Sequence, residues 1–129
     1  MTPRTIAIIG GTGKLGAALA GRWTKAGHSV LIGSRDPDAA VITAQRLSER
    51  FSTEVRGAAN AAAAADAELV VLTVPFGAQE ATIAQIRDAV RGKLVIDTTV
   101  PLIPPRVMRV QLPPEGSAAE RAARLLGPK

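Results

Sequence analysis

Short runs that are apolar on both faces alternate along this chain with longer stretches that are apolar on one face only. Thr5–Gly10 (TIAIIG) is β-branched and apolar throughout, which predicts a buried parallel strand. From Gly13 to Ala26 the period becomes helical, with Leu15, Leu19 and Trp23 at every fourth position and Ala18 and Ala26 beside them. Gly27 stops that helix as a C-terminal cap. Ser29–Gly33 (SVLIG) predicts a second strand. Pro37–Phe51 predicts a second helix, with proline in its first turn and Ala40, Ala44, Leu47 and Phe51 facing inward. A short third strand is expected at Thr53–Gly57, followed by one or two helical turns in the alanine run Ala61–Ala65. Glu68–Val74 (ELVVLTV) predicts a fourth strand ended by Pro75. Ala78–Val90 predicts a helix with Ile83, Ile86 and Val90 inward, and Lys93–Asp97 a fifth strand.

The five prolines between Pro101 and Pro114 argue against a helix or a central strand there and predict an ordered extended loop. Ser117-Ala-Ala-Glu120 then reads as a capping box. Ser117 accepts from the Glu120 N–H and the Glu120 side chain reaches back, opening a last helix that Gly127-Pro128 terminates. Strands separated by helices require crossovers. The expected fold is therefore α/β, a doubly wound parallel sheet of the Rossmann kind, with residues 1–129 forming a single domain. Such folds often continue into a sixth strand, so a truncated or isolated domain is expected.

Composition narrows the chemistry. The chain has 129 residues, no Cys, no Tyr and one His, His28. Disulfides, thiol nucleophiles and Cys-based metal centres are excluded, as is any mechanism with a Tyr general acid. His28 precedes the second strand, at the edge opposite the ligand side, and reads as a surface residue. The net charge of +5 is spread rather than clustered and only 2% of residues are aromatic, so nucleic-acid partners are not expected. No apolar run approaches the length needed to span a bilayer, and the expected location is cytoplasmic.

The most specific motif is Gly10-Gly11-Thr12-Gly13-Lys14-Leu15-Gly16. A G-x-G-x-x-G pattern is weak alone, but here Gly11, Gly13 and Gly16 follow a predicted strand and open a predicted helix. Gly11 is expected to permit the tight turn, Gly13 to let a pyrophosphate approach the backbone, and Gly16 to let the helix pack on the strand. The N–H groups and dipole of the helix start then favour the anion. About 20 residues beyond the glycines an NAD site carries a carboxylate for the ribose 2′-OH. Here the strand ends Gly33-Ser34-Arg35. Ser34 and Arg35 suit a 2′-phosphate, so NADP is expected over NAD, with Asp36 and Asp38 weakening the local positive potential. After the fourth strand, Pro75 sets a rigid exit. Phe76 either flanks the dinucleotide or caps the next helix. Asp97, at the end of the fifth strand, reads as an acceptor that orders its loop rather than as a base.

The segments IAIIGGTGKLGAALAGRWTKAGH, IGSRDP, VVLTVPFGA and VIDTTVPLIPPRVMRVQLPPEGSAAERAARLLG resemble the NADPH-dependent reductases of the deazaflavin coenzyme F420 over nearly the whole chain. The proline spacing of the last segment is the most distinctive, because a generic Rossmann fold does not demand it. The resemblance implies an NADP-dependent oxidoreductase that moves a hydride directly between the nicotinamide and the deazaflavin, with F420 as second substrate. It implies dinucleotide contacts at Thr12, Gly13, Lys14 and Leu15, at Ser34 and Arg35, and at Val74, Pro75 and Phe76. The cofactors carry such chemistry, so no catalytic acid–base residue is implied. Ala39 stands where family members often have a further basic residue. The family also has a smaller C-terminal domain that helps form the deazaflavin cleft and the subunit contacts. The expected complement is thus a homo-oligomer or a missing C-terminal domain. The competing reading is a non-catalytic NADP-binding module without activity of its own. An atypical short-chain reductase is disfavoured by the absence of Tyr.

Overall fold

In a computed structural model, which describes residues 2–106 and 108–128, one parallel sheet is built from β1 (Thr5–Ile9), β2 (Ser29–Ser34), β3 (Arg56–Ala59), β4 (Leu69–Leu72) and β5 (Leu94–Asp97). The strand order is β3-β2-β1-β4-β5. The helices are α1 (Lys14–Lys25), α2 (Pro37–Phe51), α3 (Asn60–Asp66), α4 (Gln79–Ile86) and α5 (Ala118–Leu126). This is the doubly wound α/β class expected from the sequence. Parallel neighbours cannot be joined by tight turns, so each connection crosses a face of the sheet and covers it.

Both faces of the central strands are therefore apolar. Ile6, Ile8, Val30, Ile32 and Val71 pack with Ala20 of α1 and Ala40, Ala44 and Leu47 of α2. The alternate side chains Ala7, Ile9, Leu31, Val70 and Leu72 pack with Ala63 and Ala64 of α3, Ile83 and Ile86 of α4, and Ala122 of α5. β1 lies in the middle, paired with β2 on one side and β4 on the other. The chain winds outward from it in both directions, and the reversal opens a crevice at the carboxyl ends of β1 and β4. On β5, Leu94 and Ile96 register with Leu69 and Val71 yet remain 61% and 42% exposed, beyond the cover of α1 and α2.

Several local expectations shift. The inward row of α1 is Gly16, Ala20 and Thr24 with Gly21, not Leu15, Leu19 and Trp23. Small residues let the helix axis approach the sheet; Leu19 and Trp23 pack at its margin, while Leu15, Ala18 and Ala26 are exposed. The third strand is Arg56–Ala59 rather than Thr53–Gly57. Ser52 in the left-handed region (φ 50°) ends α2, and the Val55 N–H and carbonyl both bond the Ser48 hydroxyl, so Val55 is held to the helix and not to the sheet. Gly57 does not break that strand: the α2 backbone at Ala40 lies where its Cβ would be. The fourth helix begins as a 3-10 turn at Phe76–Ala78 and loses regularity after Ile86, although Ile83, Ile86 and Val90 are buried as expected. His28 is buried, not superficial; its Nδ1 accepts the Arg4 N–H at 3.0 Å and holds the chain ahead of β1.

Helix ends are closed by side chains in three places. Asp36 caps α2 through the Asp38 N–H at 3.0 Å. Lys93 Nζ donates to the carbonyls of Ala64 and Ala65, each at 2.8 Å, at the C-terminus of α3. Ser117 accepts the Glu120 N–H at 3.0 Å. The return bond of that capping box is not formed among the described residues; the Glu120 carboxylate lies over Gly116 instead. Among its described residues the proline-rich stretch forms no helix and no named strand, as expected, but it is not extended: it turns at Pro104-Pro105 and doubles back, the Gln111 N–H donating to the Pro101 carbonyl at 2.9 Å beside an isolated antiparallel bridge between Leu102 and Val110. No helix of the described residues is long and apolar enough to cross a membrane.

The Gly57 contact generates a stability prediction. Gly57→Ala forces α2 away from β3, and overpacking of this kind costs about 1–3 kcal/mol. Urea denaturation should show the midpoint falling at constant m-value.

Candidate functional site

The carboxyl end of the sheet gathers three segments that the sequence keeps far apart. The loop after β1 is tied to the tip of β2, because the N–H groups of Gly10 and Gly11 both donate to the Gly33 carbonyl at 3.0 Å. The same loop touches the exit of β4, where a Cβ on Gly10 would lie 2.5 Å from Val74 Cγ1. β4 is in turn clasped to β1: the Thr73 N–H and hydroxyl both donate to the Ile9 carbonyl at 2.9 Å. Thr98 repeats the device one strand outward, bonding the Leu72 carbonyl through its N–H at 3.1 Å and its hydroxyl at 2.6 Å.

The glycines divide the work differently from the expected scheme. The positive φ of the turn belongs to Gly10 (φ 78°), not Gly11. Gly11 is required for space, since its Cβ would lie 2.9 Å from the Ile8 carbonyl oxygen and 3.1 Å from Ile32. Gly16 has the packing role expected: a Cβ there would lie 2.7 Å from both Gly11 Cα and Thr73 Oγ1. At Gly13 a Cβ would meet only the Gly10 carbonyl oxygen at an ordinary 3.6 Å. The protein therefore leaves open space over Gly13, where a ligand can approach the backbone.

Gly13 is the N-cap of α1. No side chain caps that helix and no acidic residue lies in its first turn. The first bond into the helix is from the Ala17 N–H to the Gly13 carbonyl at 2.9 Å. Among the described residues the N–H groups of Thr12, Lys14 and Leu15 find no acceptor. Unpaired donors and the positive end of the dipole thus meet at one exposed spot suited to an anion, and the exposed Lys14 adds a positive charge to the same turn. Leu15, 51% exposed, presents an apolar surface beside it.

At the tip of β2, Ser34 is buried and its Oγ accepts the Asp36 N–H at 3.1 Å, which leaves the hydroxyl proton to donate elsewhere. The Asp36 carboxylate is engaged in capping α2. Arg35 is exposed and has no hydrogen-bond or ion-pair partner among the described residues. The nearest carboxylate is thus held by the helix end while the guanidinium stands free. Ala39 lies half-buried at the start of α2 and adds no charge.

The third segment divides. Val74 is half-buried against the glycine loop and Pro75 is exposed in an extended conformation (φ −58°, ψ 152°). Phe76 is half-buried, with the Arg121 guanidinium of α5 5.1 Å from its ring centroid and Arg121 also paired to Glu80 at 2.8 Å. One face of this ring therefore serves the packing of α5. Asp97 is a loop-ordering acceptor, as expected: Oδ1 takes the Thr99 N–H at 2.9 Å and Oδ2 the Thr99 hydroxyl at 3.0 Å. Sequence reasoning missed Thr73 and Thr98. Their signal was a hydroxyl residue directly after an apolar strand, which reads as a strand end but does not reveal a clasp to the neighbouring strand.

Residues 5–101 match the family model described as "NADP oxidoreductase coenzyme F420-dependent". The chain is 47% identical to the F420-dependent NADP reductase of Methanothermobacter marburgensis, over 94% of this chain and 57% of that one. It is 51% identical to the reductase of the same name from Methanothermobacter thermautotrophicus, over 94% of this chain and 55% of that one. A solved structure from Arthrobacter sp. FB24, assigned as an F420-dependent NADP reductase, superposes with a TM-score of 0.80 at 32% identity. It is covered to 58% of its length by 95% of this chain. The chain thus spans little more than half the length of these relatives.

The contrast between two glycines is testable without any ligand. Gly16→Ala should lower unfolding stability by about 1–3 kcal/mol through overpacking. Gly13→Ala, which clashes with nothing and only makes a poorer N-cap, should cost no more than about 1 kcal/mol. Equal losses for the two would contradict the open space over Gly13.

Proposed function

The chain belongs to the coenzyme F420-dependent NADP oxidoreductase family, and from that premise we propose that residues 1–129 form the NADP-binding domain of an enzyme exchanging a hydride between NADPH and the deazaflavin coenzyme F420. The observation that carries the proposal is the uncapped start of α1, tethered through Gly33 to a strand tip bearing Ser34 and Arg35. In this reading Gly11, Thr12, Gly13, Lys14, Leu15 and Gly16 cradle the pyrophosphate, and Ser34 and Arg35 receive the 2′-phosphate. Val74, Pro75 and Phe76 border the dinucleotide beyond β4. We also propose a cytoplasmic location.

The residues present fit the dinucleotide. Unpaired N–H groups face open space at Gly13, and the free Arg35 matches a phosphate rather than a ribose hydroxyl pair. When both cofactors are bound, the chemistry supplied is direct hydride transfer between the two rings. The work of this chain is to bind, orient and exclude water, which is where such a protein gains its rate. No side chain is assigned to move a proton.

Calorimetric titration of the full chain with NADPH and with NADH tests the reading. NADPH should bind clearly and NADH weakly. One charged hydrogen bond is worth roughly 1.5–3 kcal/mol, so Arg35→Ala should lower the NADPH preference about ten- to 150-fold while leaving NADH unchanged. An unchanged preference would remove Arg35 from the site, and failure to bind either nucleotide would overturn the domain's proposed role.

A further inference from the structure

Gln79 opens α4 and is 0% exposed, a depth more typical of an isoleucine. Its Nε2 lies 2.8 Å from Asp97 Oδ2, 3.0 Å from Thr99 Oγ1 and 2.8 Å from the Ala118 carbonyl oxygen. One amide thus joins the start of α4, the exit of β5 and the first residue of α5. Its Oε1 is buried and has no donor among the described residues. An amide buried with one end unsatisfied is costly, and an apolar side chain would fill the same space without that cost. What an apolar residue cannot supply is orientation of the Asp97–Thr99 strip.

That strip is also anchored by the parallel pairing of Asp97 with Leu72 and by the pair of bonds from Thr98 to the Leu72 carbonyl. It stands at the carboxyl edge of β5, across the β1–β4 crevice from Ser34 and Arg35. A dinucleotide whose adenosine ribose lies at the β2 tip extends across the crevice, so its other end lies over the exits of β4 and β5. We infer that Gln79 is a positioning residue for the nicotinamide half of the ligand, acting through Asp97 and Thr99 without touching the ligand itself. This inference rests on the reading of the site as NADP-binding.

Two ligands separate positioning from mere support: NADPH, and 2′-phospho-ADP-ribose, which retains the adenosine half and the pyrophosphate but lacks nicotinamide. Each is titrated into the full wild-type chain and into Gln79→Met, which keeps the side-chain length and removes the hydrogen bonds. Thr99→Val is the milder second variant. Both variants should weaken NADPH about tenfold, the equivalent of one lost oriented contact, while 2′-phospho-ADP-ribose stays within about twofold of wild type. An equal loss for both ligands, or no loss for either, would overturn the inference and leave Gln79 a packing residue. Thermal unfolding is followed in parallel, and if Gln79→Met does not fold, the ligand ratio of Thr99→Val decides. A wild-type chain that binds neither ligand instead overturns the NADP reading on which the inference rests.

Discussion

The first turn of α1 lies almost against the backbone of the loop that precedes it. Gly16 sits where a Cβ would collide with Gly11 Cα and with the Thr73 hydroxyl, and that contact is possible only between residues without side chains. It fixes where the helix begins and how its axis meets the sheet, and it aims the unpaired N–H groups of Thr12, Lys14 and Leu15 into the crevice. Ala20 and Gly21 continue the close approach along the helix, which is why the bulky Leu19 and Trp23 are set to its margin. A larger residue at position 16 would tilt α1 and move every donor at its start.

Around that seam the polar groups are arranged to immobilise the strand ends rather than to react. Thr73 and Thr98 each clasp a neighbouring strand through both backbone and hydroxyl. Gln79 and Asp97 hold the outermost exit. Asp36 is turned into its own helix. Among the described residues of this rim, the donors without partners include those of the helix start and Arg35, and these are the groups an anionic dinucleotide would need. The rim thus separates rigid scaffold from available donors, as preorganised binding requires.

Much of this was legible in the sequence because the period of the apolar residues changes with each element. TIAII, SVLIG and ELVVL can only be buried strands, and the stretches between them have helical spacing, so a parallel sheet follows. The glycine pattern located the crevice, and Ser34-Arg35 marked its far wall. Other features were not legible, for reasons of packing. The inward face of α1 is made of its smallest residues, so a count of large apolar positions chose a face one residue away. β3 begins three residues late because Ser48 ties Val55 to the end of α2, through bonds between residues seven apart that no propensity encodes. Gly57 reads as the end of that strand, yet it lies inside it and marks the approach of another backbone. His28 is a polar residue read as superficial, and its burial depends on a partner at Arg4 that only the assembled fold brings near; the burial of Gln79 depends in the same way on Asp97.

The central position of β1 has a kinetic meaning. One side pairs Ile6 with Val30, a loop of modest length, while the other pairs Ile6 with Leu69, far along the chain. The entropy of closing the second loop must be met before any contact there rewards it, and non-local parallel pairing is the slow kind of assembly. Gly10 and Gly16 find Val74 and Thr73 only once β4 has been laid beside β1. A chain synthesised only through β3 therefore holds every glycine of the motif and the Arg35 beside it, yet lacks the wall that gives the loop its shape. Competence of the crevice thus waits for β4, although its glycines and Arg35 leave the ribosome well before that strand.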